Sequence, residues 1–225
     1  MRRWYFRHAR SIIYVGAGVS AVAVTAVAAL AAADAHDLGA ALVQGRQLFG
    51  LWALGLLLAS MLIGPATSMF AWVPLKATLM YGRRAVGVSA MAFAALHVGC
   101  YGISVARRGL ADLYGPGVLW VLGLLVGLTA LTDMTLLACT STDAAVKRLG
   151  GRRWKRLHRT VYALLGIVLL HALMNGADFG LARAPDVTAA PDAGALIGFL
   201  SVSAAWLLLF LLRHKGVRWP SRRTQ

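Results

Sequence analysis

Glutamate is absent from this chain: its eight acidic residues are all aspartate. Cysteine is scarce too, and Cys100 and Cys139 lie within or at the end of apolar runs, where they need not approach each other. They support no disulfide framework and read as free, small apolar side chains. Charged residues of both signs make up only 14% of the chain against 59% hydrophobic, and they cluster between long apolar runs. That pattern excludes a soluble globular protein and marks a polytopic membrane protein. A Gly-rich nucleotide fingerprint, a Walker motif and a separate soluble domain are all missing.

Six apolar segments are present, at about 11–33, 47–65, 85–106, 116–139, 157–175 and 194–212. Each approaches the ~20 residues a helix needs to cross a ~30 Å hydrocarbon core. The expected fold is therefore all-α and integral to the membrane, a single six-helix transmembrane bundle over residues 1–225.

A formal charge of +15 suggests nucleic acid until the basic residues are placed. Nineteen of the 23 Lys and Arg lie before the first segment, between the second and third, at 147–159, or at the C-terminus. The other connections hold Arg46, Arg107, Arg108 and Arg183, together with six of the aspartates (Asp34, Asp37, Asp112, Asp178, Asp186, Asp192). This is a topology signal with attraction for anionic lipid, not a nucleic-acid surface. It predicts cytoplasmic termini, with 34–46, 107–115 and 176–193 outside.

The N-terminus imitates a signal peptide, with a basic start, an Ala-rich run and AAADAHD. Its apolar run of about 23 residues exceeds the ~7–15 of a signal h-region, so a retained helix is expected. The Arg2-Arg3 pair reads as a basic cytoplasmic end rather than a twin-arginine export signal. The connection PATSMFAWVPLKATLMYGRR (65–84), with Trp72, Tyr81, Lys76, Arg83 and Arg84, is expected to lie in the membrane interface. NGADFGLARAPDVTAAPDAG reads as an external loop.

Ionisable groups inside a bilayer cost several kcal/mol unless neutral, paired or ligated. Those within or at the edge of the segments are His97, Asp133, His171 and His158. Neutral imidazole supplies a nitrogen lone pair to iron in a porphyrin and leaves its second ring nitrogen for a hydrogen bond. A lone membrane histidine more often ties helices together; three on two helices, at two levels, point to a redox cofactor.

His97 and His171 lie at similar depth towards the outer face and are the expected ligands of one haem. His158 is thirteen residues before His171, ~20 Å lower at ~1.5 Å per residue, where a second haem, a flavin or a quinone would complete an electron route. On an ideal helix those thirteen residues leave the imidazoles ~140° apart, so either they serve different partners or the helix is re-wound, with Gly166 a candidate for close packing or a bulge. Asp133 is expected to be a snorkelling partner of an arginine. The run Lys147 to Arg159 has a functional version in which one or two arginines neutralise haem propionates, a flavin phosphate or an acidic donor.

GRRWKRLHRTVYALLGIVLLHALM (151–174) resembles the signature of the ferric-reductase-like transmembrane domain. Within that superfamily the chain is most similar to the MsrQ/YedZ family, the haem-binding membrane subunits of bacterial periplasmic protein-methionine-sulfoxide reductase. The runs GRRAVGVSAMAFAALHVGCY and LLACTSTDAAVKRLGGRRWKRLHR agree, and the likeness covers roughly residues 40–215. It matches nothing in the first helix or in the loop after 176.

The resemblance implies an electron-transfer subunit rather than the substrate-converting one. It implies haem b held by His97, His158 and His171, FMN as a further cofactor, and Arg84 and Arg156 as cofactor-binding cations. Electrons come from the quinone pool or a cytoplasmic flavin reductase, and the receiver is a periplasmic molybdopterin-dependent catalytic subunit. The rivals are a stand-alone ferric reductase or oxidase-like cytochrome b and a non-redox scaffold or transporter. A dihaem cytochrome with four histidine ligands does not fit, because His8, His36 and His214 lie outside the apolar segments.

Overall fold

The computed structural model describes residues 2–35, 38–69, 76–114, 117–176, 181 and 193–214. All the secondary structure among them is helical: α1 (Arg2–Ala35), α2 (Leu38–Met69), α3 (Lys76–Arg108), α4 (Ala111–Tyr114), α5 (Val118–Cys139), α6 (Asp143–Leu149), α7 (Gly151–Leu157), α8 (Val161–Asn175) and α9 (Ala193–His214). Five stretches are long and apolar enough to cross a membrane: His8–Leu30, Leu38–Ser68, Lys76–Arg108, Val118–Cys139 and Gly151–Asn175. The sixth expected segment is the shorter apolar stretch Leu196–Leu211 of α9. The chain is thus an all-α, multi-pass membrane protein.

Burial follows the logic of a helix bundle in lipid. Phe93, Met61, Leu164 and Leu165 are fully buried between helices, while Leu51, Leu125, Leu128 and Leu200 are exposed on the outside. Apolar residues therefore cover both faces, and helix contact rests on close packing and hydrogen bonds rather than on removing apolar surface from water. The threonines of α5 satisfy themselves: Thr129, Thr132 and Thr135 each donate to the carbonyl four residues back, at 2.7 to 2.9 Å. Gly166 brings α8 against α9, because a Cβ there would lie 2.6 Å from Trp206 Cζ2. The Trp206 indole N–H donates to Tyr162 O at 2.6 Å and fixes the ring in that slot.

Two connections are largely helical. The 65–84 stretch is mostly helix: α2 continues through Pro65 to Met69, and α3 begins at Lys76. Thr67 and Ser68 hydroxyls donate to carbonyls of the turn around Pro65, which lets the helix run on past the proline. Trp72 lies outside the described residues. The 34–46 connection is equally short of loop, since α1 runs to Ala35 and α2 starts at Leu38. Most of the 176–193 connection lies outside the described residues.

The basic connection between α5 and α8 folds into two short helices. Thr142 caps α6 by accepting from Ala145 N–H at 3.1 Å. Gly150, at φ +73°, then separates α6 from α7 in a conformation that favours glycine. Asp143 bonds Arg84 at 2.6 Å and faces Arg10 at 3.6 Å, joining α6 to α3 and α1.

The span 157–175 is not one regular helix. Between α7 and α8 the backbone tightens: Arg159 N–H donates to Arg156 O, Thr160 to Leu157 O and Tyr162 to Arg159 O. These are three-residue returns, the 3₁₀ pattern, which changes the rotation per residue. The re-winding lies at 158–160, and Gly166 marks the packing of Trp206.

Gly166→Ala is expected to push the anchored Trp206 out of its slot and destabilise the fold by about 1–3 kcal/mol, read as a lower unfolding temperature in detergent. Asp143 gives a pH signature. Its hydrogen bond from Arg84, with the Arg10 charge behind, holds its carboxyl below the usual range. A depressed folded pKa adds stability above the unfolded value of about 3.9, lost as pH falls through the folded one. Asp143→Asn is expected to lower thermal stability modestly at neutral pH and to erase that acid dependence.

Candidate cofactor site

His97 and His171 arrive from different helices and meet. His97 sits on α3 and His171 on α8, with ring centroids 6.2 Å apart and planes at 89°. α2 packs along α3 and α5 along α8, whereas α3 and α8 touch each other only sparsely. The imidazoles therefore face each other across the seam between two tightly packed helix pairs.

Each ring is held by a backbone carbonyl of the neighbouring helix. His97 Nδ1 lies 2.8 Å from Arg46 O on α2, and His171 Nδ1 lies 2.8 Å from Gly123 O on α5. A carbonyl only accepts, so Nδ1 carries the proton in both rings, which leaves a lone pair on each Nε2 of the neutral form. Glycines make room: a Cβ on Gly50 would lie 3.0 Å from His97 Nδ1, and one on Gly127 2.7 Å from His171 Nδ1.

These residues suit a metal that brings its own in-plane ligands. Among the described residues no group of three or more His, Cys, Asp or Glu comes together, so a bare ion would lack a coordination shell. His97 and His171, each with a lone pair on Nε2, could hold the metal of a macrocycle, which would supply the remaining ligands.

His158 stands apart, at the end of the bundle that carries Arg10, Arg83 and Arg84. Its Nε2 lies 3.2 Å from Thr140 Oγ1, and its ring stacks on Trp154 at 4.1 Å and 28°. The Trp154 indole N–H donates to Thr140 O at 2.8 Å, and Arg84 lies over the indole at 4.9 Å. A cavity of about 530 Å³ opens beside them, lined among others by Ser60, Arg83, Arg84, Lys155, His158 and Arg159. Arg84 thus sits at the cavity. Arg156 is exposed on α7 and does not line it, whereas its neighbours Lys155 and Arg159 do.

Asp133 corrects one expectation. Its carboxylate accepts from Thr160 Oγ1 at 3.2 Å, and among the described residues both ion pairs belong to Asp143. Thr160 supplies the partner because the tight turn at 158–160 brings its hydroxyl over α5. Sequence reasoning also missed Arg46, Gly123, Thr140 and Trp154, which hold the histidines in place. Only Trp154 left a trace, one helical turn before His158 in WKRLH; carbonyl partners come from other helices and leave none.

Comparison with known proteins agrees with the geometry. The family model described as ferric reductase like transmembrane component matches residues 49–169, which include His97 and His158 and end two residues before His171. The chain is 38% identical over 151 residues to the protein-methionine-sulfoxide reductase heme-binding subunit MsrQ of Rhodospirillum rubrum, covering 63% of this chain and 67% of that protein. It is 30% identical over 175 residues to the MsrQ of Azospira oryzae, covering 78% and 69%. It is also 34% identical over 125 residues to the magnetosome protein MamZ of Magnetospirillum gryphiswaldense, which spans 56% of this chain but only 18% of that longer protein. No solved structure matches. With the family model spanning more than half the chain, and MsrQ proteins aligned over two thirds of their own length, this chain belongs to the ferric reductase like transmembrane family and resembles its MsrQ members.

Proposed function

We propose that the chain is the haem b-binding membrane subunit of a protein-methionine-sulfoxide reductase system, in which His97 and His171 would hold the haem iron. The observation that carries this is the facing imidazole pair, each with its Nδ1 proton given to a backbone carbonyl. The names of the MsrQ relatives support it. In this reading six helices cross the inner membrane, the basic end faces the cytoplasm, and the His97–His171 pair lies towards the periplasm.

Bound haem supplies reversible one-electron chemistry; the polypeptide sets where and how. The carbonyls of Arg46 and Gly123 fix the tautomer and the ring planes, and raise the basicity of the ligating nitrogens. The apolar residues around the pair, such as Phe93 one turn away, keep water out.

His158 belongs to a second site at the cytoplasmic edge. Its Nε2 is engaged by Thr140 and its face by Trp154, which favours an edge contact over metal ligation. The cavity beside it is mostly apolar with cationic residues Arg83, Arg84, Lys155 and Arg159 in its lining, suited to a planar anionic cofactor such as FMN, or to the head of a quinone that delivers electrons. The electron receiver is a periplasmic molybdopterin-dependent catalytic subunit.

The purified protein is expected to show a Soret band that His97→Ala and His171→Ala each abolish; even ~3 kcal/mol of lost ligation lowers affinity about a hundredfold. A colourless wild type, or His97→Ala with full haem content, rejects the assignment. His158→Ala is expected to keep its haem while flavin content, or the rate of reduction by a quinol, drops at least about tenfold. Unchanged flavin and quinol kinetics would remove His158 from that role.

A further inference from the structure

One helical turn beyond the imidazole pair, each of four helices contributes a polar or aromatic residue. Arg46 precedes Gly50 on α2, Tyr101 follows His97 on α3, Trp120 precedes Gly123 on α5, and Asn175 follows His171 on α8. They form one layer. The Arg46 guanidinium lies 5.8 Å from the centre of the Tyr101 ring and 6.0 Å from that of Trp120. The two rings are 6.5 Å apart. Asn175 Nδ2 donates to Trp120 O at 3.1 Å, which pins the start of α5.

The layer has two open hydrogen-bonding positions. Trp120 Nε1 and Asn175 Oδ1 are both buried with no hydrogen-bond partner. Leaving such a group unmet is unfavourable, and most buried polar groups in folded proteins have a partner. Indole N–H is a donor only, so what belongs opposite it is an acceptor. With a guanidinium against the same ring, the acceptor is best negatively charged.

We infer that this layer receives a carboxylate side chain of the bound macrocycle, with Trp120 Nε1–H and the Arg46 guanidinium as its donors. The inference rests on the haem b reading above, since haem b carries two propionates. One helical turn is ~5.4 Å of rise, within reach of a propionate from a ring held at the imidazoles. Trp120 and Arg46 would then act as positioning residues that set how firmly haem is held, distinct from the arginines at the opposite end of the bundle.

The test measures release of haem from detergent-solubilised protein to apomyoglobin, using haem and its dimethyl ester, which lacks the carboxylates. Trp120→Phe keeps the ring and removes the N–H. It is expected to release haem about tenfold faster, the size of one charge-assisted hydrogen bond, and the ester no faster than wild type does. Arg46→Gln is expected to accelerate haem more than ester. Equal acceleration of both cofactors, or none, overturns the inference. Should Trp120→Phe fail to fold, the wild type decides alone: equal release of haem and ester also overturns it. A wild type without a Soret band sinks the haem reading and this inference together, whereas a haem-loaded wild type with the wrong release pattern sinks this inference only.

Discussion

The hydrogen bond from an imidazole to a main-chain carbonyl of the adjacent helix is the constraint on which the His97–His171 site depends. A membrane interior tolerates histidine when it is neutral and its N–H is satisfied. Taking the acceptor from the backbone makes the ring's direction a property of helix packing. The glycines at 50 and 127 are the reverse side of that arrangement, since any side chain there would occupy the space of the ring itself. Tautomer, orientation and helix spacing are therefore set together.

The opposite end uses a different device. His158 is satisfied by a hydroxyl and an indole, both tied to Thr140, and the guanidinium over that indole is also bonded to Asp143. Such a network ties the histidine to α1, α3 and α6 through exposed ionic contacts that salt weakens. One end of the molecule is thus fixed by main-chain geometry in apolar surroundings, and the other by side chains within reach of water.

Much of this was legible in the residues. Apolar run length predicted the helices, and the rarity of ionisable groups within them singled out His97 and His171 before any contact was known. Helix limits were not legible where a helix outruns its hydrophobic stretch, as α2 does past Pro65 and α3 does from Lys76 to Arg84; hydropathy reports membrane thickness, not where backbone bonding stops. The carbonyl partners were invisible because every residue type offers the same carbonyl. The ~140° offset expected between His158 and His171 assumes a regular helix, whereas residues 158–160 are wound more tightly, and the two rings have different partners.

That tight turn has a consequence for how the two ends can change. With left-handed Gly150 on one side and the 3₁₀ turn on the other, the seven-residue α7 is joined to α8 without sharing its rotational phase. The joints on either side of α7 thus uncouple the surroundings of His158 from the register of the His97–His171 pair.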